Sequence, residues 1–143
     1  MTWLVMAALA LQCGALVDAK ALSVQRERTV IVEGQRIQRV EAGFVAPADA
    51  RVIDLRGQTC MPGLIDLHVH LDSQLTPASF TEQFTLNPVD HAIRSVANAE
   101  TTLMAGFTSV RDLGSDKGVN VALRNAIDRG TVKGPRVRNH RPW

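Results

Sequence analysis

Short alternations of apolar and polar residues dominate the first 60 positions of the chain. In the stretch RTVIVEGQRIQRVEAG, two β-branched runs flank Gly34, and this pattern predicts a β-hairpin. The stretch ARVIDLRGQTC predicts a further strand at 52–55, closed by Gly57, and the apolar segment 1–17 is interpreted as a first strand. We therefore expect residues 1–60 to form a small β-meander or part of a β-sandwich.

The pattern changes after the Pro62-Gly63 dipeptide. The segment LIDLHVHL predicts a strand of about seven residues, and a polar loop follows it. The segment NPVDHAIRSVANAETTLMAG then predicts a helix, because Asn87 can cap it, Pro88 suits its first turn and Gly106 suits its stop. The helix is expected to bury an apolar stripe made of Val89, Ile93, Val96, Ala97 and Met104.

The same alternation of strand and helix continues toward the carboxyl end. FTSVRDLG predicts a second strand, GVNVALRNAIDRG a second helix with Gly130 as its stop, and GPRV the start of a third strand. Strands that alternate with helices at this spacing are typical of βαβ units and a parallel sheet. The expected fold class is therefore α/β.

Composition narrows the classes of partner. The chain has 143 residues, 45% of them hydrophobic and 21% charged, as in one globular domain or a small domain with part of a larger one. Aromatic residues make up 4% with no Tyr, which argues against a base-stacking nucleic-acid surface. The two cysteines, Cys13 and Cys60, have no metal-ligand spacing and are interpreted as ordinary buried thiols. A basic carboxyl-terminal tail is interpreted as a solvated end rather than a nucleic-acid or lipid contact.

The candidate chemistry lies in LIDLHVHL. Side chains alternate along a strand, so Asp66, His68 and His70 should share one face while Ile65, Leu67, Val69 and Leu71 face a helix layer. Residues two apart lie about 6.6 Å apart along a strand, so two imidazoles can converge on one cation. Asp66 would then lie in the second shell. The alternative is a satisfied core histidine beside a chance neighbour.

One further acid is a candidate. Asp112 ends the second predicted strand, where it could line the site. Alternatively, it could be a structural partner for an arginine or a loop amide.

The elements MPGLIDLHVHLDSQLTPASF, LMAGFTSVRDLG and GPRV together resemble the amidohydrolase superfamily, and most of all its imidazolonepropionase-like and prolidase-like (Xaa-Pro dipeptidase) branch. The resemblance runs from about Cys13 to Val137. It implies a β-sandwich segment at 1–60, followed at 61–137 by the first βαβαβ part of an incomplete TIM-like (β/α)₈ barrel. Residues 138–143, RNHRPW, depart from the family pattern and form an anomalous tail, as in a truncated N-terminal portion.

The resemblance also implies a function. It predicts a metal-dependent hydrolase that cleaves amide or dipeptide-like carbon–nitrogen bonds with an activated water. The expected cofactor is a divalent metal, zinc above all, in one or two copies. His68 and His70 match the first two metal ligands of the family, and the general base is expected on a strand that this chain does not contain. The alternative is a non-catalytic truncated fragment that lacks most ligands and the base.

The expected partners follow from the same comparison. A small amide or dipeptide substrate is expected, with no nucleic acid and no membrane partner, and homo-oligomerisation is left open. A cytoplasmic location is favoured, and a secreted or periplasmic one would follow if segment 1–17 were a signal remnant.

Overall fold

The computed structural model describes residues 8–139 of the chain. These residues form two compact units, divided between Pro62 and Gly63. The predicted mixture of strands and helices is confirmed, since strands dominate the first unit and alternate with helices in the second.

The first unit is a single mixed sheet. Its four strands follow the spatial order β3-β2-β1-β4 and are β1 (Leu9–Asp18), β2 (Ser23–Glu33), β3 (Arg36–Ala42) and β4 (Arg51–Cys60). The predicted hairpin is confirmed as β2 and β3, and Gly34 takes a φ of 58° in its turn, which glycine adopts without strain. Because β1 pairs antiparallel with β2 but parallel with β4, the unit is not a meander. The described residues form one sheet here, so the sandwich stays a prediction.

Two expectations for this unit were wrong. Strand β4 continues through Gly57 to Cys60, because pairing with β1 resumes beyond an irregularity in the register. Cys13 and Cys60 are not free thiols but form a disulfide, with their Cα atoms 5.8 Å apart. The parallel pairing of β1 with β4 brings the two cysteines together, and a sequence separation of 47 residues gave no sign of it.

The second unit has the predicted βαβαβ order. Its parallel sheet runs β5-β6-β7, and its elements are β5 (Leu64–Val69), α1 (Ser79–Thr85), α2 (Pro88–Met104), β6 (Phe107–Asp112), α3 (Val119–Asp128) and β7 (Arg136–Asn139). Helix α1 lies where a polar loop was expected. It has seven residues and none is buried. Its only apolar side chains are Phe80 and Phe84, one turn apart, and a single pair is too short a pattern to predict a helix.

The predicted limits of α2 are confirmed. Asn87 Oδ1 accepts hydrogen bonds from the backbone N–H groups of Val89 at 2.8 Å and Asp90 at 3.3 Å. In return, Asp90 Oδ2 accepts a bond from the Asn87 N–H at 2.9 Å. This reciprocal capping box satisfies N–H groups that the first turn leaves unpaired. Beyond the last turn, Gly106 adopts a φ of 96°.

The core of the second unit lies between the sheet and helices α2 and α3. It consists of Leu71, Ala99, Val110, Leu123 and Val137, with partly buried apolar neighbours around them. Helix α3 buries Val119 and Leu123, and Leu123 is part of this core.

The apolar faces of α2 and β5 follow the prediction only in part. Leu71 lies in the core, and Val69 and Val96 pack against it. Val89, Ile93 and Met104 are exposed, because α2 packs through the face that carries Ser95 and Ala99. Ile65 and Leu67 of β5 are 65% and 67% exposed, although a helix layer was expected over them. Strand β5 is an edge of the described sheet, and the two helices cover the side nearer β6 and β7.

The anomalous tail is described only in part. Arg138 and Asn139 continue β7, where they pair with Arg111 and Asp112 of β6. Residues 140–143, which include His140 and Arg141, lie outside the described residues. Within residues 8–139, no helix combines the length and apolarity needed to cross a membrane.

Candidate metal centre

Candidate polar residues gather at one edge of the parallel sheet. Val69 of β5 pairs with Asp112 of β6, and Asp112 pairs in turn with Asn139 of β7. Strand β5 ends at Val69, so His70 is the first residue beyond it. The carboxyl ends of parallel strands are where α/β sheets carry ligands and chemistry.

The structure brings His68 and His70 together on one side of β5. Their ring centroids lie 5.4 Å apart and their planes meet at 64°. Both side chains are exposed rather than packed in the core. Two accessible imidazoles at this separation can turn toward a common cation, whereas a satisfied core histidine would be buried.

The ring of His70 is oriented by a loop carbonyl. Its Nδ1 atom lies 2.9 Å from the carbonyl oxygen of Gly114, in the loop after β6. A carbonyl oxygen only accepts hydrogen bonds, so Nδ1 carries the proton in this contact. In the neutral ring the lone pair therefore lies on Nε2, which is the atom left to bind a metal.

Asp112 is wholly buried at the end of β6. Its Oδ2 accepts the backbone N–H of Leu71 at 3.1 Å, while Oδ1 accepts the N–H of Gly114 at 3.0 Å and the side-chain amide of Asn120 at 3.1 Å. The structure therefore places Asp112 against loop amides, which was the structural alternative. Leu71 directly follows His70 in the chain, and Gly114 is the residue whose carbonyl contacts the His70 ring.

Asp66 lies beside His68 but contacts its backbone. Its Oδ1 accepts the His68 N–H at 2.9 Å, two residues along the same strand. This bond occupies a backbone donor at the exposed edge of the sheet. Asp66 therefore touches the peptide of a candidate ligand.

A cleft of about 560 Å³ opens beside His70. Its lining is largely polar and includes Asp72, Glu82, His91, Arg94 and Lys117. Burial raises the pKa of the Asp72 carboxyl, and the nearby charge of Asp112 adds to this rise, whereas the backbone hydrogen bond and the charges of His91 and His70 oppose it. A buried acid with a shifted pKa in a cleft is a common mark of a functional site.

Two cleft residues escaped the sequence analysis. His91 is half-buried, and its Nδ1 lies 3.1 Å from the backbone carbonyl oxygen of Asp72. Arg94 makes a bidentate ion pair with Glu82, at 2.7 and 3.0 Å, which joins α2 to α1. The hydrogen bond from Arg94 lowers the pKa of Glu82. The contact of Arg94 depends on the placement of α1, which had not been predicted.

The described side chains supply part of a metal site. No group of three or more His, Cys, Asp or Glu side chains within residues 8–139 has a geometry that could hold a metal ion. A structural or catalytic zinc takes at least three protein ligands. His68 and His70 fit two of these positions, because both are accessible and the neutral His70 ring presents Nε2.

Comparison with known proteins identifies the family. The model of the amidohydrolase family matches residues 59–138, which span the histidine pair and the β5–β7 sheet up to Arg138. The chain belongs to the amidohydrolase family. This family and the relatives found here are hydrolases of carbon–nitrogen bonds, and divalent metals are general in it.

Similar proteins with curated functions include a dihydroorotase and an imidazolonepropionase. A dihydroorotase of Geotalea daltonii is 33% identical over 91 residues, which cover 64% of this chain and 18% of that enzyme. An imidazolonepropionase of Streptomyces coelicolor is 29% identical over 126 residues, which cover 88% of this chain and 31% of that enzyme.

Similar solved structures include a Xaa-Pro dipeptidase and a prolidase. A Xaa-Pro dipeptidase with bound methionine in its active site has a TM-score of 0.85 at 31% identity, covering 92% of this chain and 32% of its own. A prolidase complexed with N-methylphosphonate-L-proline has a TM-score of 0.77 at 34% identity, covering 92% of this chain and 31% of its own. The chain thus spans between about a fifth and a third of the length of these relatives.

Proposed function

We propose that this chain carries the first two metal ligands of a zinc-dependent amidohydrolase that cleaves a carbon–nitrogen bond in a small amide or dipeptide. The observation that carries the proposal is the histidine pair, with the neutral His70 ring presenting Nε2 beside a polar cleft at the carboxyl ends of parallel strands. On this proposal, residues 61–137 form the first βαβαβ part of a TIM-like barrel and residues 1–60 contribute to a β-sandwich.

The chain's own residues have distinct tasks in this chemistry. His68 and His70 would hold the metal, and Asp66 and Asp112 would fix the backbone around them. A divalent metal in such a site supplies an activated water nucleophile and polarises a substrate carbonyl. The general base and the remaining ligands belong to positions outside this chain's described residues.

The cleft favours a substrate that carries both charges. The lining of the same cleft contains the acidic side chain of Asp72 and the basic side chain of Lys117. Among residues 8–139, Lys117 makes no ion pair, so its ammonium group is available to a carboxylate. A dipeptide has an ammonium group and a carboxylate, as the prolidase-like neighbours would suggest. No nucleic-acid or membrane partner is part of the proposal.

Zinc binding and hydrolysis test the proposal directly. Zinc affinity is measured by competition with a chromogenic chelator for the wild type, His68→Ala, His70→Ala and a matched control, His91→Ala. We expect the first two variants to raise the Kd at least about tenfold and the control to change it little, because each removed imidazole is a ligand. Equal Kd values in all four proteins would contradict the proposal.

The second candidate is a non-catalytic member of the family. Its support is the absence of a third metal-binding side chain within the described residues. Zinc-loaded chain is incubated with a panel of Xaa-Pro dipeptides and cyclic amides, and amine release is measured. Hydrolysis that disappears in His70→Ala supports the enzyme, whereas zinc binding without hydrolysis of any substrate supports the non-catalytic candidate.

A further inference from the structure

Asp112 and His70 are connected through one loop peptide. The N–H of Gly114 donates to Asp112 Oδ1 at 3.0 Å, and the carbonyl oxygen of the same residue accepts from His70 Nδ1 at 2.9 Å. Gly114 has a φ of 146°, a backbone conformation that other residues rarely adopt. The backbone orientation of Gly114 therefore decides whether its carbonyl faces the His70 ring. Asp112 holds that orientation through the Gly114 N–H.

Asp112 also holds the chain on the other side of His70. Its Oδ2 accepts the N–H of Leu71, the next residue, at 3.1 Å. Leu71 is buried, and its carbonyl accepts a bond from the Asn98 side chain at 2.8 Å. One buried carboxylate thus fixes both the peptide that follows His70 and the loop that contacts its ring.

The carboxylate is itself fixed by α3. Asn120, in the first turn of that helix, donates its side-chain amide to Asp112 Oδ1 at 3.1 Å and is buried. A buried carboxylate with three donors is held in one orientation, because loss of any of these bonds leaves a polar group unsatisfied. The arrangement runs from α3 through Asp112 and Gly114 to an exposed imidazole.

We propose that Asp112 is a positioning residue that sets the tautomer of His70. By holding the Gly114 peptide, it keeps a carbonyl oxygen against Nδ1, so that Nδ1 is protonated and Nε2 is presented to the metal. The tautomer assignment concerns the metal-free chain, while its effect on zinc affinity rests on the proposed function. Without this hydrogen bond, the neutral ring would populate both tautomers. Metal binding would then have to select one of them, which costs free energy.

The wild-type chain tests the first part by itself. Long-range ¹H–¹⁵N correlation spectra of the metal-free protein at about pH 8, above the ordinary pKa range of imidazole, report which ring nitrogen carries the proton. We expect His70 to be protonated at Nδ1, whereas the exposed His68 should show mixed tautomers. A His70 ring protonated mainly at Nε2 would overturn the inference whatever the variants do.

The variant Asp112→Asn tests the second part. It keeps the shape of the side chain but replaces one acceptor oxygen by an amide that cannot accept an N–H. We expect a mixed His70 tautomer and a zinc Kd raised about 10- to 100-fold, the range for residues that orient a metal ligand. The control Asp128→Asn removes the same charge from an exposed position of α3 and should leave both readouts unchanged.

The outcomes separate this inference from the proposed function. A wild-type tautomer and a Kd within about twofold in a folded Asp112→Asn chain would overturn the inference, with the metal site intact. If the wild type binds no zinc, the proposed function fails, and the tautomer change alone decides the inference. If Asp112→Asn does not fold, Asn120→Ala replaces it. A reduced Nδ1–H population then supports the inference, and an unchanged tautomer overturns it.

Discussion

The Nδ1 atom of His70 and the carbonyl oxygen of Gly114 lie 2.9 Å apart, although 44 residues separate them in the chain. The contact joins the end of β5 to the loop after β6, and it leaves Nε2 of the neutral ring free. His68 and His70 are similar in sequence context, but only the His70 ring has such an oriented partner among residues 8–139. The orientation and the tautomer of the His70 ring should therefore be fixed more strongly before a metal binds than those of the His68 ring.

Asp66 gives a first prediction about His68. Asp66→Ala should raise the zinc Kd about tenfold, because it removes the acceptor that fixes the His68 peptide. Asp66→Asn should stay close to the wild type, since its amide oxygen still accepts the same N–H. The measurement is zinc competition with a chelator. Equal losses in the two variants would show that the charge of Asp66 matters and that its hydrogen bond does not.

The ion pair between Glu82 and Arg94 predicts a pH-dependent effect. The folded-state pKa of Glu82 is lowered by the hydrogen bond from Arg94, so the pair adds stability above the ordinary pKa of the acid and loses it as the pH falls through the folded value. Glu82→Gln should therefore lower the Tm at pH 7, and the difference should shrink toward about pH 3. Thermal unfolding followed by circular dichroism measures both.

The matched control for this pair is Glu100→Gln, an exposed acid in the last half of α2. It removes the same charge without breaking the ion pair and should change the Tm less. A Tm difference between Glu82→Gln and the wild type that is the same at pH 7 and pH 3 would contradict the assigned role of Glu82.

The disulfide predicts that the first unit is sensitive to reduction. Replacing Cys13 and Cys60 together by Ala should cost about 2–4 kcal/mol, because the bridge closes a loop of 47 residues and restricts the unfolded chain. Chemical denaturation with and without reductant measures this cost. Reductant should destabilise the wild type and leave the double variant unaffected. Two titratable thiols in the non-reduced, denatured wild type would refute the bridge.

Gly14 predicts a steric limit in the same sheet. A Cβ atom at this position would collide with the backbone carbonyl of Arg56, where the pairing of β1 with β4 changes register. Gly14→Ala should destabilise the chain by about 1–3 kcal/mol, since the backbone must move to admit it. Gly57→Ala is the control, because open space surrounds a Cβ there and its φ is not positive. Similar denaturation midpoints for both variants would contradict this account.

Local sequence patterns determined many of the turns, helix ends and the order of the elements. The Gly34 turn, the Asn87 cap, the stop at Gly106 and the βαβ order were all predictable, because each depends on residues that are neighbours in the chain. The pair of His68 and His70 on one side of a strand also follows from local geometry, since side chains alternate with a period of two.

Contacts between residues that are far apart in the sequence became known only from the tertiary structure. Parallel pairing of β1 with β4 joins Cys13 to Cys60, and the packing of α2 through Ser95 and Ala99 leaves Val89, Ile93 and Met104 exposed. The role of Asp112 is likewise set by the loop amides of Leu71 and Gly114, which reach it from two different loops. Sequence periodicity shows which side chains share a face, but contacts between separate segments exist only once the chain has folded.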